Sequence, residues 1–232
     1  MKRLAFVILF FPLAALAAAA GYRLDKSPHD PRDVVSLQAG ARTYVNYCLG
    51  CHSIQYMRYQ GLAEFGLSEA QIKEHLLFTG EKVGDPIKAV QDPKLAKAWF
   101  GVMPPDLSVV SRSRGADWLY TYLRTFYRDP KTPTGWNNAV FPNVAMPHAL
   151  WMLQGEQGWD PKEHRLTELS KGTIPPVEYD RTVRDLVNFL VYVGEPAAAS
   201  RKAIGIAVLF VLLGVLFPLT YWLKKEFWKD VN

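Results

Sequence analysis

Cys48-Leu49-Gly50-Cys51-His52 is the stretch that decides how this chain is read. Cys-x-x-Cys-His is the attachment pattern of a c-type haem. Two thiols at this spacing can each form a thioether to one haem vinyl group. The histidine that follows is then held under the iron as its proximal ligand. Redox dithiols and half-sites for zinc share the Cys-x-x-Cys spacing. A thioredoxin-like pair, however, wants a βαβ pattern around it, and zinc wants two more ligands close by. These two cysteines are the only ones in the chain, so no second pair exists to complete a zinc site. The motif predicts one covalent haem c, with Cys48 and Cys51 as thioethers and His52 on the iron.

The two ends place that haem outside the cytoplasm. Met1-Lys2-Arg3 opens a run that is apolar to Ala20 and ends in small residues. That order predicts a secretory signal peptide over 1–20 rather than a short membrane anchor. Residues 203–223 carry no charge. At about 1.5 Å per residue such a helix spans a hydrocarbon core of ~30 Å. Arg201 and Lys202 flank one end, and Lys224, Lys225 and Lys229 the other, with Tyr221, Trp222, Phe227 and Trp228 as an interfacial aromatic belt. The expected organisation is a signal peptide at 1–20, a periplasmic domain at 21–200, a transmembrane anchor at 201–224 and a cytoplasmic tail at 225–232. The expected location is the bacterial inner membrane, with a single pass.

The formal charge of +5 on a soluble protein would suggest nucleic acid. Residues 21–200, however, hold as many acids as bases, and the excess lies in the two membrane-targeting ends. The basic balance reports topology, and nucleic acid is not an expected partner.

Between the ends the sequence reads as helical islands among long Pro/Gly-rich loops, a mainly α domain. Leu37, Ala41, Tyr44 and Cys48 recur at helical spacing and predict a helix over 36–47. Ser68 and Gln71 form a capping-box signature for a helix running to about Phe78. A third helix is expected over 117–127. Val183, Leu186, Val187, Leu190 and Val191 make one apolar stripe of a helix over 178–193, stopped by Gly194-Glu195-Pro196. Segments 82–105 and 130–176 read as long loops, which a compact domain carries when they serve something such as a large flat cofactor.

The sixth iron ligand separates electron transfer from catalysis at an open iron. Met57 is too close to His52 in sequence to reach the other haem face, and Met152 reads as core. Met103 and Met146 each precede a proline, in loops able to present a thioether, and spacing does not choose between them. His148, beside Met146, keeps a bis-histidine site in view, while His29, His75 and His164 read as surface or otherwise satisfied residues.

Further stretches carry a resemblance: Tyr56 and Tyr59 after the haem motif, Met103-Pro104-Pro105-Asp106-Leu107-Ser108, Ala145-Met146-Pro147, and the C-terminal anchor. In this order and combination the chain resembles the cytochrome c1 family, the haem subunits of the membrane quinol–cytochrome c reductase complex, in a bacterial form. The resemblance implies a cytochrome c-like haem domain with long loop insertions, whose crossed terminal helices are 36–47 and 178–193. It implies Met146 as the distal ligand, with Pro104, Pro105 and Leu107 packing the haem and Met103 left as packing. Arg112, with Arg114 close by, matches the family's arginine near a haem propionate. The implied partners are a Rieske iron–sulfur protein, cytochrome b and an electron-accepting cytochrome c, in a dimeric complex. The implied role is passing single electrons through one haem without enzymatic activity of its own, quinol oxidation belonging to partner subunits. Mitochondrial relatives often carry acidic runs that suit a basic cytochrome c; here the acids are scattered.

Two other readings stand beside this one. A membrane-anchored cytochrome c subunit of a terminal oxidase or other reductase has the same chemistry, but a minimal cytochrome c domain is much shorter than 21–200. A haem enzyme with an open distal site would need an acid–base residue there, for which His148 or His164 is the candidate.

Overall fold

A computed structural model describes residues 22–230; the expected signal peptide at 1–20 lies outside the described residues. The first helix, α1 (Val34–Tyr47), starts where the Asp33 carboxylate accepts the Ser36 N–H and runs straight into the Cys48 turn. Strand β1 (Ile54–Arg58) and a 3₁₀ turn (Tyr59–Phe65) follow. Helix α2 (Glu69–His75) opens on the expected Ser68–Gln71 capping box and stops three residues short of Phe78.

The two long loops contain more structure than expected. Segment 82–105 holds β2 (Pro86–Ile87), antiparallel to β1, and helix α3 (Pro93–Phe100). Helix α3 begins on Asp92, whose Oδ1 accepts the Lys94 and Leu95 N–H groups, with proline at its first position. After α4 (Val110–Arg114) comes α5 (Ala116–Arg124), which ends before the expected Tyr127 because Phe126 already begins a strand. That strand, β3 (Phe126–Arg128), pairs with β4 (Trp136–Asn138). Segment 130–176 also contains α6 (Trp151–Gln154) and a long hairpin of β5 (Gly155–Asp160) and β6 (Arg165–Lys171). The hairpin buries little of either face, so no apolar alternation announced it.

The core forms where α1 meets α7 (Pro176–Gly194). Leu37, Ala41 and Tyr44 of α1 pack with Val183, Leu186, Val187 and Leu190 of α7, all buried. Each leucine and valine among them contributes about 1.5–3 kcal/mol by leaving water. Gly40 sets the approach: a Cβ there would lie 2.0 Å from the Asp185 carbonyl oxygen and 2.7 Å from the Phe189 Cβ. The crossing also has a buried polar lock, in which Ser36 Oγ donates to Asp185 Oδ1 at 2.6 Å and Asn188 Nδ2 donates to Ser36 Oγ at 2.9 Å. Phe189 then sits against Tyr44 and Phe65.

Beyond residues 195–197 the chain is helical again, as α8 (Ala198–Phe210), a π-helical turn (Val211–Leu216) and α9 (Phe217–Phe227). The most apolar stretch of the helix Ser200–Phe227 has a mean hydropathy of 2.6, and none of it is buried. This helix is long and apolar enough to cross a membrane. Pro218 accounts for the widened turn, since it lacks an N–H and its ring would press on the carbonyl four residues back. The architecture is the mainly α one expected, with longer strand excursions.

Candidate haem site

The α1 helix delivers Cys48 and His52 by a tight turn in which the Cys51 and His52 N–H groups both bond the Cys48 carbonyl. Beside it opens a largely apolar cleft. Tyr47, Cys48, Cys51 and His52 line one part of it; Ala145, Met146, Pro147 and Ala149 line another; Phe100, Val102, Pro104 and Pro105 complete it. Its cavity volume is about 110 Å³, in a slot that opens to solvent.

His52 is oriented from both ends. Its backbone carbonyl accepts the hydroxyl of buried Tyr44. Its ring Nδ1 lies 2.7 Å from the Pro105 carbonyl oxygen. A carbonyl only accepts, so the proton is on Nδ1 and the lone pair is on Nε2, where a metal can take it. Burial lowers the imidazole's pKa, against the opposing pull of the Pro105 bond and the Asp106 charge, which favours the neutral, ligand-ready form. The thiols carry no sign of a redox dithiol: burial pushes Cys48 up to about 12 and Cys51 up as well, the opposite of a reactive thiolate.

Met146 reaches the same cleft from the loop before α6. Its sulfur accepts a hydrogen bond from the Tyr122 hydroxyl at 3.4 Å. Tyr122 is buried, stacked on Trp118 at 4.7 Å and edge-on to Phe126 at 5.0 Å. Arg114 lies over the Trp118 ring. Met103 is 56% exposed and faces a neighbouring depression with Lys88 and Asp106; it is neither in the cleft nor packed as expected. Met152, read as core, is 53% exposed, whereas Met57 is buried.

His148 does not enter the cleft. Its ring stacks on Phe126, meets Trp136 edge-on and bonds Gln154 Oε1 through Nε2 at 2.7 Å. Burial holds its pKa down to about 4. His164 lies beside Trp159 on the exposed hairpin. Pro104 and Pro105 line the cleft, while Leu107 packs behind it on the core, its N–H bonded to the Ser53 carbonyl. Arg112, expected near a propionate, is absent from the lining and pairs with Glu195 at 3.4 Å. Arg114 has the nearer connection, through Trp118 and Tyr122 to Met146.

The residues fit a c-type haem. Two thiols, an imidazole with its Nε2 free and a thioether share one apolar cleft, and each axial candidate is backed by a hydrogen bond. Spacing could not have revealed Tyr122, the Pro105 carbonyl or Tyr44. One aromatic among the several of α5, or one carbonyl of a proline pair, has no signature until the fold aims it.

A family model described as "Cytochrome C1 family" matches residues 25–231. The chain is 50% identical over its whole length to a protein of Nitrosomonas europaea named "Ammonia monooxygenase gamma subunit", of which the match covers 99%. It is 48% identical to the cytochrome c1 of Allochromatium vinosum, over 99% of this chain and 98% of the relative. A protein of Bradyrhizobium diazoefficiens named "Cytochrome b/c1" is 26% identical over 88% of this chain, a match taking up 34% of that longer protein.

Proposed function

Since the chain belongs to the cytochrome C1 family, we propose that it is the haem-bearing electron-transfer subunit of a membrane quinol–cytochrome c reductase. The observation that carries this reading is the cleft shared by Cys48, Cys51, His52 and Met146. Cys48 and Cys51 would hold a haem c covalently, with His52 and Met146 as ligands to its iron. Bound there, the haem supplies reversible one-electron transfer. The protein's part is to keep it so: His52 is fixed by Pro105, Met146 by Tyr122, and the apolar lining keeps water from the metal. A thioether ligand and an apolar surround both favour the less charged ferrous state.

Such a site moves electrons without binding a substrate at the metal, so quinol chemistry falls to partner subunits. The longer relative named cytochrome b/c1 supports a cytochrome b as one of them. A Rieske iron–sulfur protein as donor, a cytochrome c as acceptor and a dimeric complex complete the proposal. The helix 200–227 would anchor the subunit in the inner membrane, with residues 21–200 in the periplasm after removal of 1–20. The monooxygenase name of the Nitrosomonas relative gains no support from the cleft, where Met146 stands ready to close the position that oxygen would need.

The test is ligation in the full-length protein produced with a haem-attachment system. Haem should stay on the polypeptide through acid–acetone extraction, and Cys48→Ala with Cys51→Ala should release it. Met146→Leu should abolish the near-infrared thioether–iron band and open the reduced haem to carbon monoxide. Unmutated protein that binds carbon monoxide readily would overturn the electron-transfer reading.

A further inference from the structure

Resting on that functional reading and extending it to the acceptor, we propose that the mouth of the cleft is a docking surface for an acidic soluble electron carrier. Helix α3 forms one lip. Phe100 turns into the cleft and Ala96 is buried, while Leu95 and Trp99, one turn apart, are 51% and 64% exposed. Val102 and Met103 continue this apolar surface, at 54% and 56% exposed. Apolar side chains of this size gathered at the edge of a site mark an interaction surface.

Among the charges around them the lysines outnumber the carboxylates, three to two. Lys94 and Lys97 flank Leu95 on α3, and Lys88 shares a depression with Cys51 and Met103. Among the described residues none of these three lysines makes an ion pair. The nearby carboxylates are turned to the backbone: Asp92 accepts two N–H groups of α3, and Asp106 accepts those of Gln55 and Ser108. The other lip, 140–155, contains no Lys, Arg, Asp or Glu. Nothing in that lip offsets the lysines, although residues 21–200 as a whole are formally neutral. An apolar centre bordered by unpaired cations attracts a partner whose own redox edge is bordered by carboxylates. A basic carrier would be repelled.

The experiment uses the full-length haem-loaded protein in a neutral detergent, reduced with ascorbate. Its oxidation by two soluble c-type cytochromes, one acidic and one basic, is followed by stopped flow as ionic strength rises from about 0.01 to 1 M. The rate with the acidic cytochrome should fall with salt, and the rate with the basic one should rise. The triple variant Lys88→Glu/Lys94→Glu/Lys97→Glu should slow the acidic partner about tenfold or more at low salt. Neutral Lys→Gln versions and the salt series on the unmutated chain decide the same question if charge reversal harms folding. A flat or rising salt dependence with the acidic cytochrome, or variants that match the unmutated rate, would overturn the acidic partner while leaving the haem role standing. Protein without covalent haem, or without transfer to either cytochrome, would overturn the functional reading beneath it.

Discussion

The hydroxyl of Tyr122 points at the sulfur of Met146 from 3.4 Å away, tying the Ala145-Met146-Pro147 loop to the aromatic stack of α5. Proline after Met146 already restricts that methionine to extended backbone. The hydrogen bond adds a hold on the side chain and draws electron density from the sulfur lone pair that would face the iron.

Replacing Tyr122 with phenylalanine keeps the Trp118 stack and removes only the donor. A net neutral hydrogen bond is worth about 1 kcal/mol, so the reduction potential should fall by about 20–60 mV. The thioether–iron band should persist. Potentiometric titration of both proteins reads the change, and an unaltered potential would reduce the contact to packing.

Met103 and Met146 share the same Met-Pro signature but not the same surroundings. With its side chain outside the cleft, Met103→Leu should leave the near-infrared band, the potential and carbon monoxide exclusion as they are. A Met103→Leu protein that binds carbon monoxide would reassign the distal ligand.

At the helix crossing Gly40 lies against backbone, which cannot move aside as a side-chain tip can. Gly40→Ala should therefore cost about 3 kcal/mol or more, read as a lower denaturant midpoint of the haem-loaded domain. Gly50, where a Cβ meets nothing within 4 Å, should accept alanine with a far smaller loss. Equal midpoints for the two variants would refute the close-approach account.

Truncation after Ser200 removes the exposed apolar helix and little else that the core touches. The shortened chain should be recovered soluble, without detergent and with its haem. Its retention in the membrane in the absence of partner subunits would reveal a second anchor.

The helices α1 and α7 were legible because each carries a continuous apolar stripe that is buried where the two cross. Ser68 and Gln71 announced α2 because capping is local chemistry. Asp92-Pro93 was an equally local start signal for α3, obscured by the glycines and prolines around it. The β5–β6 hairpin left no trace because it buries neither face. In the site, the haem motif and the two methionine–proline pairs could be read directly, and a resemblance rather than any spacing rule chose between the methionines. Arg112 shows the limit: only Ser113 separates it from Arg114, yet one guanidinium turns to Glu195 and the other to Trp118. Only the three-dimensional turn of α4 distinguishes them.

Residues 195–197 are all that joins α7 to the apolar helix, with Glu195 bridging Arg112 on one side and Arg201 on the other. Surface ion pairs of this kind hold weakly, but three residues reach no farther than about 10 Å even when pulled straight. A domain on so short a strap cannot swing between a donor and an acceptor as a cargo on a long flexible tether does. In the proposed role it would be a fixed relay post: any distance an electron is carried to or from it would be travelled by the proteins that visit.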